Sequence, residues 1–441
     1  MPIPPNEDEL LGGKSATVFD QTENALGNPI HNLTDADLIR FSAGNSLNRN
    51  NWTTAPASAN GRDGLGPLFN GQSCSACHLK DGKSNPFASE TKPSHALLFR
   101  LSSPFSGLHN EPVDDPNYGG QFNHKAIVSQ KAEGNVNIIF QEKTFQYPDG
   151  NSYTLRTPTY QFTNLNYGEM KNTLFSPRIA PPMTGLGLLE SIDEQTLDNF
   201  TDENDTNNDG ISGKRNIVWD DVLQKKVKGR FGWKANQPNI KQQTASAFNG
   251  DIGITSSVFS IENYGLNQKA FFENIPNGGN PEITDEQLEN VIFYIKSLAV
   301  PAQRNPNNAT ILEGKKLFTT INCNSCHVTE IKTGNTATPT QLANQTIRPY
   351  SDLLIHDMGD DLADNRPDFE ANGKEWRTPP LWGIGLQKTV NKHTFMLHDG
   401  RARNIEEAIL WHGGEAEKSK DKFKNLTKAN REKLLQFIES L

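Results

Sequence analysis

Apolar residues repeat at helical spacing in the segment 284–299, TDEQLENVIFYIKSLA. Five of them fall on one helical face: Leu288, Val291, Ile292, Ile295 and Leu298. Thr284 and Gln287 have the spacing of a capping box, in which each side chain binds the backbone N–H of the other residue. The pattern therefore predicts a helix that begins at this box and ends before Pro301.

The stretch after this helix, QRNPNNA, is polar, rich in Pro and Asn and without apolar periodicity, which is typical of a linker. We therefore expect a boundary near 301–309 that separates two domains, 1–300 and 301–441. Thr310 and Glu313 then have capping-box spacing and predict a second helix. The chain ends in LTKANREKLLQFIESL, whose leucines and isoleucine repeat at helical spacing and predict a third.

Two apolar, β-branched segments lie in the first half, VNIIFQEKTFQYPDG at 136–150 and NSYTLRTPTYQF at 151–162. They predict a small β-hairpin that turns at Asp149 and Gly150. The remaining chain between His78 and residue 283 is rich in Gly, Asn and Pro with few periodic runs, so we expect long loops there.

Composition narrows the class of protein. Hydrophobic residues are only 34%, but 23 Phe, 8 Tyr and 6 Trp supply enough large apolar side chains for a folded core. The net charge is −9 and no long Lys/Arg run occurs, so nucleic acid is not an expected partner. No apolar stretch reaches the length of a membrane span. The opening MPIPPNEDELL lacks the features of a secretory signal, so an exported form would have lost its leader.

The four cysteines fall into two strings, CSACH at 74–78 and CNSCH at 323–327. In c-type haem attachment both Cys of C-x-x-C-H form thioethers and the adjacent His binds iron. Structural zinc or a redox-active C-x-x-C are the alternatives, but neither requires a His at that position. The strings predict two covalently bound haem c groups, held by Cys74, Cys77, His78, Cys323, Cys326 and His327.

The helix at Thr310 precedes CNSCH and the C-terminal helix follows it, an arrangement that resembles a cytochrome c module. In the first half, LTDADLIRF at 33–41 precedes CSACH and the helix at 284–299 follows it. The expected fold is therefore mainly α, with two cytochrome c-like haem domains. The first would be elaborated with long loops and a small β-hairpin. Because haem c attachment takes place in an export compartment, we expect a periplasmic protein.

Several further strings, placed in this order around the haem motifs, resemble the di-haem oxidoreductases related to bacterial di-haem cytochrome c peroxidases. They are DGLGPLFNGQSCSACHLKDGK at 63–83, SPRIAPPMTGLGLLESI at 176–192, DGISGKRN at 209–216, GRFGWKANQP at 229–238, EWRTPPLWGIG at 375–385 and MLHDGRARNIEEAILWHGGEA at 396–416. In the peroxidases one haem is open to peroxide and a six-coordinate haem relays electrons. The resemblance implies that the N-terminal haem is the reactive one.

The resemblance also implies roles for residues outside the haem motifs. Glu190 stands where the relatives place a distal glutamate that moves protons on peroxide; its structural alternative is a carboxylate stabilised by a helix N-terminus. Glu169 is a second candidate for that role. Trp233 is a candidate for the aromatic bridge between haems, or a core tryptophan. Three histidines could bind the first iron in a resting state: His95, His109 and His124.

The second haem needs a sixth ligand. In RNIEEAILWHGG, Asn404 and Glu407 can cap a helix, and Ile405, Ala408, Ile409 and His412 share one face. His412 stands where the peroxidases have a Met, so we expect bis-His ligation of the second haem by His327 and His412. The reduction potential of this haem should then be lower than that of a Met-ligated haem. His356 and Met358 are the rival ligands.

Calcium is a further possibility at 205–210, DTNNDG, where Asp205, Asn207 and Asp209 have calcium-loop spacing. The twelfth position is Asn216 instead of Glu, which favours a plain turn. In the relatives a Thr and a Pro carbonyl hold calcium between the haems, and His393 and Phe395 stand there in this chain.

The leading hypothesis is a peroxidase-like enzyme that takes peroxide, or another small oxidant, and electrons from a donor protein such as a small cytochrome or cupredoxin. Two other functions remain open. One is a di-haem electron-transfer protein without a substrate. The other is a di-haem oxygenase or protein-modifying oxidase, as among the relatives.

Overall fold

A computed structural model describes residues 7–58 and 61–441. The opening segment MPIPPNEDELL, which was predicted not to be a secretory signal, spans residues 1–11. Residues 1–6 of it lie outside the described residues. Within the described ranges, no helix combines the length and apolar character needed to cross a membrane.

Secondary structure overturns the expected mainly-α fold of two cytochrome c-like domains. The chain is only 30% helical with 19% strand, and the strands form many small sheets. The error arose in the region after His78, where Gly- and Asn-rich sequence was interpreted as loops. Much of that sequence instead forms short strands. Some pair with a neighbour in the chain, such as Ile217–Asp220 with Lys225–Lys228, and others pair with a distant segment, such as Leu97–Ser102 with Leu174–Ile179. Strands that are short or paired at a distance show little local periodicity.

The α-helices of the described residues are α1 (Gly13–Ala16), α2 (Asp35–Arg49), α3 (Cys74–Cys77), α4 (Leu186–Glu190), α5 (Glu194–Asp198), α6 (Ile240–Ala247), α7 (Lys269–Phe272), α8 (Asp285–Lys296), α9 (Ala309–Thr320), α10 (Gln387–Asn391), α11 (Ile405–Leu410), α12 (Glu417–Lys424) and α13 (Lys428–Ser440).

The strands are β1 (Thr17–Val18), β2 (Leu68–Phe69), β3 (Phe87–Ser89), β4 (Lys92–Pro93), β5 (Leu97–Ser102), β6 (Lys125–Ala126), β7 (Asn135–Gln146), β8 (Ser152–Thr163), β9 (Leu174–Ile179), β10 (Ile217–Asp220), β11 (Lys225–Lys228), β12 (Val300–Pro301), β13 (Ile331–Lys332), β14 (Thr346–Ile347), β15 (Ile355–Asp357) and β16 (Glu375–Arg377). They pair two by two, and all pairs are antiparallel except β1 with β12.

The predicted hairpin is confirmed and is longer than expected. Strands β7 and β8 have 12 residues each and pair from Asn135 with Thr163 to Gln146 with Ser152. Gly150 turns the chain with a φ of 86°, in the left-handed region that favours glycine.

Helices α2 and α8 pack beside the first haem motif. The capping box of Thr284 and Gln287 is present at the start of α8. Gly44 of α2 lets the two backbones approach closely, because a Cβ there would lie 2.1 Å from the carbonyl oxygen of Asn290. The rings of Phe41 and Tyr294 fill the adjoining contact with centroids 4.7 Å apart.

Helices α9 and α13 form the equivalent pair beside the second motif. A Cβ at Gly314 would lie 2.2 Å from the carbonyl oxygen of Lys433, and Phe318 packs on Phe437. The start of α9 differs from the prediction: Asn308, not Thr310, is the N-cap, and its side chain accepts from two backbone N–H groups. Asparagine is among the best N-caps, so it takes the position ahead of threonine.

A long antiparallel pair, β5 with β9, lies near the first motif. Its register runs from Leu97 opposite Ile179 to Ser102 opposite Leu174. Ala180, directly after β9, packs with Cys77 and Ala96. The strand β9 therefore places residues 178–180 beside the first thiol pair.

Asp81 connects the first motif to α8 and provides a test of the fold. It is 8% exposed, and its Oδ1 accepts a 2.6 Å hydrogen bond from the Tyr294 hydroxyl. Burial raises the pKa of Asp81 from 3.8 to about 6, although Tyr294 and Arg49 oppose the shift. Because the folded protein holds this proton more tightly, the contribution is present below about pH 4 and is lost as the pH rises through about 6.

Asp81→Asn keeps an acceptor for Tyr294 and removes the titration. We expect the variant to be as stable as the wild type near pH 4 and more stable at about pH 7, by up to about 3 kcal/mol. Urea unfolding at a series of pH values measures this difference. A difference between the two proteins that does not change with pH would contradict the assignment.

Candidate haem sites

The first motif begins as a short helix and then breaks. Cys74–Cys77 form α3, and the N–H of His78 closes the last turn on the carbonyl of Cys74 at 2.9 Å. His78 leaves the helix with φ of −107° and ψ of 58°. The Sγ of Cys77 donates to the carbonyl of His95 at 3.3 Å. The break turns the imidazole to the same cavity that the two thiols line.

This cavity has a volume of about 340 Å³, within the range of small-molecule and cofactor sites. Its apolar wall includes Met183, Leu186, Phe231, Ile252 and Ile295. Helix α6 and the π-helical turn after it, Phe248–Ile252, form much of the opposite wall. Among the described residues, His78 is the only histidine in the lining; His95, His109 and His124 are not part of it.

Each of those three histidines is engaged elsewhere. A ring nitrogen of His95 lies 2.7 Å from the carbonyl of Ala76, and one of His124 lies 2.9 Å from the side chain of Asn70. His109 stacks on Trp219 with ring centroids 3.5 Å apart. The cavity, as far as the described residues line it, therefore has one imidazole available to a metal centre.

His78 is in the state that an iron ligand needs. Burial lowers its pKa, while Asp251 and backbone groups at Pro181 and Gly82 act in the opposite direction. Its Nδ1 is buried and makes no hydrogen bond of regular geometry with the described residues. A neutral imidazole offers a lone pair to a metal.

The thiols do not suit a redox-active C-x-x-C. Burial raises the pKa of Cys74 and of Cys323 to about 12 and also raises those of Cys77 and Cys326. Reactive cysteines need a lowered pKa, because the thiolate is the nucleophile. None of the four cysteines forms a disulfide.

The second motif brings two predicted ligands together. Nδ1 of His327 lies 2.8 Å from the carbonyl of Tyr350, and Nδ1 of His412 lies 2.7 Å from the carbonyl of Ala408. A carbonyl only accepts, so each Nδ1 carries the proton and each Nε2 keeps its lone pair. Burial lowers the pKa of His327 to about 4, and the nearby His412 acts in the same direction.

The local sequence explains the position of His412. The side chain of Asn404 caps α11 by accepting from the N–H of Glu407, as predicted. The helix ends at Leu410, and His412 follows the C-cap Trp411. Its side chain turns back on the last helical turn through the bond to Ala408.

The rival ligand His356 is occupied at both ring nitrogens. Nδ1 donates to Glu415 Oε2 at 2.7 Å, and Nε2 donates to Asp352 Oδ2 at 2.9 Å. Although burial opposes it, Asp352 and Cys326 raise the pKa of His356 well above its ordinary value. Potential ligand atoms of Cys326, Asp352 and His356 lie within 4.8 Å of one another. However, a protonated imidazole has no lone pair for a metal, so this group does not favour zinc.

Glu190 does not line the cavity in this structure. Its Oε1 accepts from the N–H of Ile240 at 2.8 Å, at the start of α6, and its Oε2 lies 2.5 Å from Lys296 Nζ. This arrangement favours the structural alternative that the sequence left open, a carboxylate at a helix N-terminus. Glu169, the second candidate, is exposed in an ion pair with Lys171.

Trp233 does line the cavity. Its indole N–H donates to the carbonyl of Ile179 at 2.8 Å, and its carbonyl accepts from the N–H of Arg377 at 2.8 Å. Arg377 belongs to β16, which pairs with β15, and His356 of β15 lies 3.7 Å from the Sγ of Cys326. A short ladder of two strands thus connects the wall of the first cavity to the second motif.

Sequence reasoning missed the charged residues of the cavity wall: Arg100, Asp114, Arg178, Asp251, Arg366 and Asp368. Asp251 lies in the π-helical turn and raises the pKa of His78, Cys74 and Cys77 through its charge. Such turns often occur at functional sites. No sequence spacing connects these residues, because they come from separate strands and loops.

The Asp-rich turn at 205–210 uses its side chains internally. Asp205 accepts from the N–H of Gly210, and Asp209 accepts from the N–H of Ile211. The side chain of Asn207 pairs with Asp209. These are Asx-turn bonds, so the plain-turn interpretation is favoured. At the other calcium position, a ring nitrogen of His393 lies 3.0 Å from the carbonyl oxygen of Lys83, and the ring of Phe395 packs edge-to-face on Phe87.

Comparison with known families decides the relationship. The family model described as "Di-haem oxidoreductase, putative peroxidase" matches residues 7–441, nearly the whole chain. The chain belongs to this family. The family implies haem cofactors and an oxidoreductase.

No curated protein sequence matches this di-haem oxidoreductase. Among solved structures, a Kuenenia stuttgartiensis hydrazine synthase pressurised with xenon is similar at 18% identity. The match covers 42% of this chain and 65% of the synthase chain, with a TM-score of 0.24. At that score the likeness carries no argument about function.

The residues present fit two haem groups. At the first motif, two thiols, a neutral imidazole and an apolar wall face one cavity. At the second, Cys323, Val328, Met358 and Ile409 are partly buried and pack against the main apolar core. The tautomers of His327 and His412 leave Nε2 lone pairs that could bind iron. Burial and hydrogen bonding thus agree with the cofactor class of the family.

The position of Glu190 gives a second testable prediction. Replacing Glu190 with Gln keeps an acceptor for Ile240 and removes the ion pair with Lys296, whose side chain is about one-fifth exposed. We expect a loss of at most about 1 kcal/mol in the free energy of unfolding, since partly exposed pairs contribute little. Urea unfolding measures this loss.

Lys296→Met is the matched control, because it removes the same pair from the other side. In a double-mutant cycle the two losses should overlap instead of adding. A loss confined to the Glu190 variant, with no coupling to Lys296, would contradict the structural role.

Proposed function

We propose that this protein is a peroxide-reacting di-haem c oxidoreductase. In this proposal Cys74, Cys77 and His78 hold an open haem, and Cys323, Cys326, His327 and His412 hold a closed one. One observation carries the proposal: among the described residues, the cavity at the first motif contains a single imidazole, whereas the second motif has a second imidazole beside it. An iron with one free face can bind peroxide, and an iron with two axial ligands is suited to electron transfer.

Bis-His closure of the second site is supported by hydrogen-bond geometry, which also argues against one of the two rival ligands, His356. His356 is protonated and bound at both nitrogens, so it has no lone pair to offer. His412 keeps one, with its Nδ1 proton fixed on the carbonyl of Ala408. Fixing one ring nitrogen orients the other toward a metal.

When bound, the open haem supplies the electrons that cleave the O–O bond of peroxide. Overall, one hydrogen peroxide takes up two electrons and two protons from outside and gives two waters. Within that reaction, the protein must take a proton from the near oxygen and return it to the departing one, so that this oxygen leaves as water. Asp251 is our candidate for this proton transfer, because it is a carboxylate in the lining of the cavity.

Asp251 is held in place by its neighbours. Gln121 donates to its Oδ1 at 3.0 Å, and Arg100 lies 3.7 Å from the same oxygen. Its backbone carbonyl accepts from the N–H groups of Asn70 and Gly71, just ahead of the first motif. These contacts fix the carboxylate relative to the attachment site, and a fixed geometry is what efficient proton transfer requires.

Electrons reach the open site from the closed one. Trp233 supports this step, because it lines the cavity and its backbone is bonded to β16, whose partner strand contacts Cys326. The donor to the closed site would be a small protein such as a cytochrome or cupredoxin. Haem c attachment further suggests a periplasmic location.

The closed site can be tested by replacing its proposed sixth ligand. The wild type should give a mixed high-spin and low-spin electron paramagnetic resonance spectrum, with covalent haem shown by denatured mass and pyridine haemochrome. His412→Met should keep the second iron low-spin and raise its potential, because thioether ligation favours ferrous iron. His356→Gln is the control and should leave the spin states of both irons as they are in the wild type. If the low-spin signal of His412→Met has the same position as that of the wild type, and the potential of the second iron is also the same, bis-His closure is refuted.

Asp251 can be tested against Glu190. Asp251→Asn should lower the rate of peroxide reduction by about 10²- to 10⁴-fold, the usual contribution of general acid–base catalysis. Glu190→Gln should leave the rate close to that of the wild type, because its carboxylate does not line the cavity. Stopped-flow absorbance after mixing with peroxide measures both. The reverse ranking would return the role to Glu190, and a reduced protein that is inert to peroxide would favour a simple electron relay.

A further inference from the structure

Two buried arginines share one carboxylate in the wall of the first cavity. Arg178 is 6% exposed and Arg366 is 5% exposed. Their guanidinium groups approach the same oxygen, Oδ2 of Asp368, at 2.8 and 3.3 Å. Two positive charges and one negative charge leave an excess of one positive charge.

The other contacts of the two arginines are to neutral groups. Nε of Arg178 donates to the Ser176 hydroxyl at 2.9 Å, and Nη2 of Arg366 donates to the carbonyl of Leu101 at 3.1 Å. Nε of Arg366 is buried and has no hydrogen-bond partner among the described residues. A buried donor without an acceptor is costly, so the site is incomplete without a further group.

The neighbouring charges do not supply the missing acceptor. Lys234 and Asp364 pair with each other at 2.8 Å and are fully buried. Arg100 adds another positive charge near Arg366. Its Nη2 lies 3.7 Å from Oδ1 of Asp251, so these two charges oppose each other. The acid that remains, Asp114, has its pKa raised by burial against the effect of Arg366 and Arg100. Asp114 makes no hydrogen bond or ion pair with either arginine among the described residues, so it does not supply an acceptor for the buried Nε of Arg366.

The position of this excess relates it to the attachment site. Arg178 and Ala180 are two residues apart on an extended chain, so they face the same side and lie about 7 Å apart. Ala180 packs against Cys77. A porphyrin bonded to cysteines at its vinyl edge carries its two carboxylates at the opposite edge, which must find partners within the same cavity.

We propose that Arg178 and Arg366 form a carboxylate-binding site, and that the group they hold is a propionate of the haem attached at Cys74 and Cys77. The proposal rests on the proposed function, since it needs a haem in this cavity. Guanidinium groups suit this role because their planar donors match the two oxygens of a carboxylate. A small free carboxylate has the same chemistry and is the alternative source.

The test compares Arg178→Gln and Arg366→Gln with Arg215→Gln in the protein carrying both haems. Arg215 is also 5% exposed and pairs with Glu194 and Asp198, but it does not line the cavity. Resonance Raman spectra report the hydrogen bonding of haem propionates through their bending band. We expect this band to shift to lower wavenumber in the two cavity variants and to stay unchanged in the Arg215 variant.

Asp368→Asn provides a change in the opposite direction, because it removes the competing carboxylate; the band should then shift to higher wavenumber. Titration with acetate identifies the source. A saturable spectral change that is lost in Arg366→Gln, without any band shift, would assign the site to a free carboxylate. An unchanged band together with no response to acetate would overturn the proposal.

Denatured mass and pyridine haemochrome, measured on the same samples, distinguish failure of the carboxylate site from failure of the proposed function. If haem is attached in every variant and no band moves, the carboxylate site is refuted while the proposed function stands. If no haem is attached to the wild type, the proposed function itself fails.

Discussion

The structure depends on keeping the groups of both Cys-x-x-Cys-His motifs away from water. Burial lowers the pKa of His78 and His327, so each imidazole is neutral, and it raises the pKa of the thiols, so none is poised for redox exchange. Two helix pairs create the enclosures, α2 with α8 and α9 with α13. In each pair one glycine lets the backbones approach to a distance that a Cβ would prevent. The chemistry of both sites begins with this packing.

The two motifs share a sequence pattern but have different surroundings. The first opens on a cavity walled by α6, its π-helical turn and β9, with charged groups in that wall. The second has a further histidine, His412, near it and another, His356, held between two carboxylates. This asymmetry matches the division of labour in the proposed function, where one site meets a substrate and the other moves electrons. The β15–β16 ladder and Trp233 connect the two.

Sequence reasoning worked where the signal is local. The helix α8 with its capping box, the cap at Asn404 and the hairpin of β7 and β8 were all predicted, because periodicity and caps depend on residues within a few positions. It was wrong about the fold class, because many strands are at most four residues long and others, such as β5 and β9, pair across a long stretch of chain, so they were interpreted as loops. The sequence analysis predicted Thr310 as the N-cap of α9, whereas Asn308 occupies that position in the structure. For Glu190 it identified both alternatives, but the contact with Lys296 depends on how α4 and α8 pack.

The sequence by itself predicted the attachment chemistry, since each motif is one contiguous string, and it identified the family through strings spread over the whole chain. Tertiary structure alone decided which residues surround each motif. Arg178, Asp251 and Arg366 come from a strand, a π-helical turn and a loop, and only packing brings them to one cavity. It also decided that His356 has both nitrogens bound while His412 keeps a lone pair. The bonds of His412 to Ala408 and of His356 to Asp352 are local, but the contact of His356 with Glu415 joins segments 59 residues apart and forms only when the chain is packed.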